Sequence, residues 1–184
     1  MASVLVVYGT SEGQTATIAE RIGDVLEDAG HDVTLVHAKH PPSDLEPEEF
    51  DGVVVGASIH AGGHQRYVRT FVTEHLEALN RTPSAFFSVS LSAASADPDT
   101  RGEAQGLLEG FLESTGWDPD LQLSVAGALK YSEYGLVKRF VMKRIGGKES
   151  GDTDTSRDYE YTDWDDVEAF ALEFVDVLEA VGES

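Results

Sequence analysis

Ser3-Val4-Leu5-Val6-Val7-Tyr8-Gly9-Thr10-Ser11-Glu12-Gly13-Gln14-Thr15 passes from a valine-rich apolar run into a short turn of glycines and hydroxyls. SVLVVY shows no polar alternation, which fits a strand covered on both faces, as in a parallel sheet. Residues 15–29 then carry Ile18, Ile22, Val25 and Leu26 on one helical face, and Gly30 reads as the stop. A buried strand that runs through a glycine turn into an amphipathic helix is the opening of a β-α-β unit.

The alternation continues to the end of the chain. Residues 32–37 read as a second strand, followed by a turn rich in proline at Pro41, Pro42 and Pro47. GVVVGA at 52–57 is a third buried strand, 65–80 a helix, 85–91 a strand, 102–114 a helix and 121–128 a fifth strand. A final helix spans 164–181, with Thr162 or Asp163 as its N-cap. This spacing predicts one α/β domain over 1–184: a doubly wound five-stranded parallel sheet of order 2-1-3-4-5, with an insertion at about 129–162. Such sheets bind ligands beyond the carboxyl ends of the strands, where the strand order reverses. Here that point lies between strands one and three, which singles out the loops 9–15 and 58–64.

The first loop has the chemistry of an anion site. Thr10, Ser11 and Thr15 offer hydroxyls, Gly13 allows a close backbone turn, and the helix start offers N–H groups and the positive end of its dipole. No lysine or arginine lies in the loop, so a phosphate would be held by neutral donors alone. A hydroxyl-capped helix start without a ligand is the plainer alternative. Other nucleotide signatures are missing. There is no G-x-x-x-x-G-K-[ST] and no G-x-G-x-x-G after the first strand. A phosphoryl-accepting receiver needs acids after strands one and three, where this chain has Gly9-Thr10 and Ala57-Ser58.

Thr10-Ser11-Glu12-Gly13-Gln14-Thr15 resembles the phosphate loop of flavodoxins, whose pattern is hydroxyl-x-x-Gly-x-Thr. That resemblance implies a flavodoxin-like fold and FMN, with Thr10, Ser11, Glu12, Gly13, Gln14 and Thr15 around the phosphate. Further stretches are similar to the menaquinone-dependent protoporphyrinogen dehydrogenase family. They are Val55-Gly56-Ala57-Ser58-Ile59, Thr82-Pro83-Ser84-Ala85-Phe86-Phe87-Ser88-Val89, Ala126-Gly127-Ala128-Leu129-Lys130-Tyr131 and Tyr161-Thr162-Asp163-Trp164. With Glu12-Gly13-Gln14-Thr15, they cover nearly the whole chain in order and spacing. The resemblance implies oxidation of protoporphyrinogen IX on FMN, with electrons passed to a membrane quinone. It also implies that Ala57, Ser58, Ile59, His60, Ala61 and Gly62 flank the flavin ring on one side. Ser88, Val89, Ser90, Leu91, Ser92 and Ala93 would flank it on the other. Family members tend to carry a basic and then an aromatic residue after the Ser-Ile, where this chain has His60-Ala61. The loop 91–97 is small and acidic where the family tends to be basic.

His60 and His64 are candidate proton donors or ordinary loop residues. No third ligand lies near them in sequence and glycines separate them, so no metal site is expected. Trp117 and Trp164 read as core or capping residues, and Tyr131 and Tyr134 as better candidates for approaching the site. No residue stands out as a catalytic base.

Thirty-four acids face 13 basic residues, a formal net charge of −21 in 184 residues. Such a surface repels nucleic acid and anionic membranes as a whole. The acids are interleaved with periodic apolar segments, which argues against a disordered tail. Only five of the basic residues are lysine, and adaptation to a halophilic, high-salt setting accounts for this balance, because screening removes the self-repulsion. The absence of cysteine excludes disulfides, thiolate metal sites and cysteine nucleophiles. With no basic leader at the start and no long apolar run, a cytoplasmic protein is expected, with possible membrane association.

Residues 130–148 break the acidic pattern. Lys130, Lys138, Arg139, Lys143, Arg144 and Lys148 face the single acid Glu133, a local +5 that leaves −26 on the rest of the −21 chain. If 133–145 is helical, Tyr134, Val137, Phe140, Val141 and Ile145 form an apolar arc, with Arg144 also inside it. Two uses fit: peripheral contact with a membrane, quinone or redox partner, or packing on the acidic body. Three function classes stay open: an FMN oxidoreductase, an electron-carrier flavodoxin, and a flavin-free regulatory domain on the same fold.

Overall fold

The computed structural model describes residues 1–11, 13–60, 62–91, 98–126, 128–129, 159–160 and 162–183. Strand β1 is Ser3–Tyr8, helix α1 Gln14–Asp28 and strand β2 Asp32–His37. A 3-10 turn at Pro47–Glu49 leads to β3, Gly52–His60, and a short β4, Gly63–His64. Helices α2, Arg66–Glu74, and α3, Leu76–Arg81, precede β5, Ser84–Ser90. Helix α4 is Pro98–Thr115 and β6 Leu121–Ala126. The two-residue strands β7, Ala128–Leu129, and β8, Tyr159–Glu160, precede α5, Trp164–Gly182.

Five parallel strands run in the order β2-β1-β3-β5-β6, which is 2-1-3-4-5 once the short β4 is set aside. β1 is the switch, pairing with β2 through Val6↔Leu35 and with β3 through Val6↔Val54. Side-chain alternation then builds two cores. Val4, Val6, Val54, Phe87 and Val125 face α1 and α5, meeting Ile18, Ile22, Phe170 and Phe174. Leu5, Val7, Val53, Val55 and Phe86 face the other way, against Val68, Phe71, Leu108 and Phe111. The continuous apolar runs of the sequence are thus explained by a sheet covered on both faces.

The structure corrects several boundaries. The segment 58–64, read as a loop, is largely strand. β3 runs on to His60, Gly62 turns the chain at φ 82°, and β4 returns antiparallel through Ile59↔His64. The sheet therefore gains a sixth, antiparallel member. The helix expected at 65–80 is broken at His75, whose φ of −114° leaves the helical region. Helix α4 starts four residues early at Pro98, where the fixed φ of proline suits a first helical turn. Asp163 is the α5 cap, accepting at Oδ1 from the N–H groups of Asp165 and Asp166. Trp117 is buried, with Nε1 donating to Ser84 Oγ at 3.0 Å. The proposed basic helix, with Tyr131 and Tyr134, lies outside the described residues.

Candidate functional site

The turn 9–15 sits at the carboxyl end of β1, beside that of β3. Gly9 is buried, and its N–H donates to Gly56 O at 2.9 Å. A Cβ there would lie 2.4 Å from Val68 Cγ2 and 2.9 Å from Tyr67 Cε2, so α2 can approach only because residue 9 is glycine. Thr10 Oγ1 accepts from the Gly13 N–H at 2.8 Å, which closes the turn on itself. Gly13 takes φ 91°, a conformation that suits glycine, and as the N-cap it contributes no side-chain cap to α1.

Thr15 is the informative residue. It is 1% exposed, and its Oγ1 has no hydrogen-bond partner. Leaving a buried hydroxyl unsatisfied costs about 1–3 kcal/mol. An anion at the α1 start, where the helix dipole and N–H groups already favour one, would satisfy it. No acid lies in the first turn of α1 to oppose such a group. The arrangement suits a phosphate held by neutral donors.

Three residues outside the loop hold it; Gln65 and Tyr67 do not stand out in the sequence, and Thr162 does so only as a helix-cap candidate and within the family-like stretch 161–164. Tyr67 Oη accepts from the Thr10 N–H at 3.1 Å and donates to Thr10 O at 3.3 Å. Burial raises the Tyr67 pKa, partly opposed by its bond to the Thr10 backbone, so the phenol stays protonated and can donate. Gln65 reaches Ser11 and Ser58 together, and so joins the two turns of the switch point. Thr162 Oγ1 accepts from Gln14 Nε2 and donates to Ala126 O, both at 2.8 Å, linking the α1 start to the end of β6. Their signals are non-local: 57 residues separate Thr10 from Tyr67, and 148 separate Gln14 from Thr162.

The remaining candidate residues divide between surface and interior. Ser58 and Ile59 are half-buried in β3, while His60 and Gly62 are exposed. Ser88, Val89 and Ser90 are buried in β5, with Leu91 half-buried just beyond it. Ala57 is buried in β3. Glu12, Ala61, Ser92 and Ala93 lie outside the described residues. His64 is no ordinary loop residue: its Nε2 lies 2.8 Å from Ser88 Oγ, and its ring packs edge-on to Phe111 at 5.0 Å. Burial, with the nearby Arg69 charge a lesser cause, lowers its pKa to about 4. The bond to Ser88 and the packing on Phe111 tie the hairpin to β5 and α4. Among the described residues no group of three His, Cys, Asp or Glu side chains can hold a metal ion, and no helix is long and apolar enough to cross a membrane.

Switch-point sheet, glycine turn and cationless anion cradle together define a class of protein. The chain belongs to the flavodoxin domain family, whose model matches residues 5–156. Within it, the chain is similar to protoporphyrinogen IX dehydrogenase (quinone) of Escherichia coli strain K12, at 37% identity over 171 residues and 92% of each chain. The protein of the same name from Leishmania major is 32% identical over 170 residues, covering 92% of this chain and 73% of its own. Oxidised flavodoxin 1 from Bacillus cereus aligns with a TM-score of 0.56 over 95% of this chain and 97% of its own; at 17% identity it shows a shared fold.

Proposed function

We propose that this protein is an FMN-dependent oxidoreductase that dehydrogenates protoporphyrinogen IX and delivers the electrons to a quinone. The substrate and acceptor follow the relatives that share the chain nearly end to end. The cofactor reading is carried by one observation, the buried and unpartnered Thr15 hydroxyl at an uncapped helix start. Thr10, Ser11, Gly13, Gln14 and Thr15 would hold the phosphate, with Glu12 in the same turn. Ala57 to Gly62 and Ser88 to Ala93 would flank the ring. Bound FMN supplies the electron-accepting chemistry, and the protein supplies position and electrostatics. The loop has no cation and would hold the phosphate through hydroxyl and backbone N–H donors, and His64 ties the hairpin beside it to β5. The net charge of −21 would disfavour a negative charge on the reduced cofactor and so lower its potential.

The basic segment 130–148 would meet the anionic membrane that holds the quinone, against the charge of the remaining chain. Cosedimentation with anionic vesicles, absent with neutral ones, tests this contact.

Purification in high salt, followed by a visible spectrum and an anaerobic assay with protoporphyrinogen IX and a menaquinone analogue, tests the whole. The expected result is a yellow protein whose flavin is reduced by the porphyrinogen and reoxidised by the quinone. A colourless protein that takes up no FMN overturns the cofactor reading. A yellow protein without turnover, exchanging single electrons with a redox protein, identifies a carrier instead.

A further inference from the structure

Gln65 occupies the N-cap position of α2, where its carbonyl accepts from the N–H groups of Val68 and Arg69 at 3.2 and 3.3 Å. Its backbone is therefore anchored, and its side chain spans the gap between the turn after β1 and the hairpin after β3. The Ser58 N–H donates to Gln65 Oε1 at 3.0 Å. A backbone N–H can be met only by an acceptor, so this bond fixes which end of the amide is oxygen. The Nε2 group must face the other way. There it donates to Ser11 Oγ at 3.1 Å and to Ser58 Oγ.

The consequence is one of polarity. A hydroxyl that accepts from an amide keeps its own proton to give. Ser11 thus remains a donor at the edge of a turn that contains no lysine or arginine. With glutamate at position 65, a carboxylate oxygen would take that proton instead. Ser11 would then turn a lone pair outward. Where neutral donors alone hold an anion, one reversed hydroxyl removes a bond and adds a repulsion.

We propose that Gln65 is a positioning residue that keeps the Ser11 hydroxyl as a donor to the phosphate of bound FMN while clasping the 58–64 hairpin to the phosphate turn. The assignment rests on the FMN reading above. It distinguishes the phosphate end of the cofactor from its ring, and riboflavin, which has the ring without the phosphate, separates the two.

Fluorescence titration of the full-length apoprotein with FMN and with riboflavin tests it, using wild type, Gln65→Glu, Ser11→Ala and the double variant. Gln65→Glu should weaken FMN by about tenfold or more and riboflavin by less than about threefold, with an unchanged circular dichroism spectrum. Ser11→Ala should weaken FMN by a few-fold. The double variant should bind FMN more tightly than the product of the two single losses requires, because the reversed lone pair goes with Ser11. Equal losses for FMN and riboflavin, or double-variant losses that simply multiply, overturn the assignment. If Gln65→Glu fails to fold, Gln65→Met removes the donor that orients Ser11 and should weaken FMN by a few-fold more than riboflavin, and equal losses for the two ligands there overturn the assignment too. A wild type that binds neither ligand overturns the cofactor reading and this assignment with it. A wild type that binds FMN with Gln65→Glu unaffected overturns the assignment alone.

Discussion

The turn after β1 and the hairpin after β3 lie side by side at the same switch point, yet they are fixed by different means. The first closes on itself, Thr10 onto Gly13 with Gly13 supplying the positive φ, and Tyr67, Gln65 and Thr162 brace that closed turn. The second is shaped from outside: Ser88 in β5 and Phe111 in α4 hold His64, and Gln65 fastens Ser58. The first turn holds a buried hydroxyl in reserve, whereas Ser58 and His64 of the second are bonded to the residues that hold its shape. A binding loop therefore leaves bonds unmade, and a scaffold makes them.

Breaking the shared support should have the largest effect. Gly9→Ala forces a Cβ into Val68 and Tyr67 of α2, the helix whose N-cap residue Gln65 bonds to both regions. A loss of about 3 kcal/mol in urea unfolding is expected, together with loss of FMN uptake. Unchanged stability would mean that α2 yields easily and the two regions are not supported in common.

His64→Gln sharpens the contrast through pH. The folded pKa of His64 lies near 4, below the ordinary value of 6.5. Between these values the unfolded chain binds the extra proton, so this contribution is complete above about pH 6.5 and declines as pH falls toward 4. By linkage it amounts to at most about 3 kcal/mol. The stability difference between wild type and His64→Gln, from urea unfolding across this range, should shrink with acidification. A pH-independent difference would show that the hairpin does not depend on a neutral imidazole.

Thr15→Val tests the reserve in the first turn. The apoprotein should become more stable by about 1 kcal/mol, because a buried hydroxyl without a partner is removed, while FMN affinity falls about tenfold. Calorimetry of apoprotein and FMN-loaded protein reads both signs at once. An effect of similar size, about 0.5–1.5 kcal/mol in urea unfolding, is expected from Tyr67→Phe, since water can replace part of its two bonds to the half-buried Thr10 backbone.

The same contrast explains what the sequence could disclose. The five parallel strands and their order were legible because apolar runs and glycine stops are local signals, and the turn into α1 at Gly13 was legible because its pattern lies within six neighbouring residues. The hairpin was not. Ser58-Ile59-His60-Ala61-Gly62-Gly63 lacks the valine density of the other strands, and its pairing depends on a turn at Gly62 and on contacts to β5 and α4. His64 illustrates the limit: a histidine between glycines and a glutamine reads as a surface residue until Phe86 and Phe111 enclose it. Gln65, Tyr67 and Thr162 are ordinary in type, and only the folded arrangement brings them to residues 10–14.

The bond between Gln14 and Thr162 also bears on synthesis. The glycine turn closes between Thr10 and Gly13, three residues apart, but the partner of Gln14 is made 148 residues later. Glu168, the salt-bridge partner of Arg21, comes later still. A ribosome-bound chain that stops short of α5 carries the turn without its clasp and exposes the α1 face that α5 covers. The turn is therefore fully braced only once Thr162 has been made and α5 has docked, and a chain that ends before Thr162 lacks that brace.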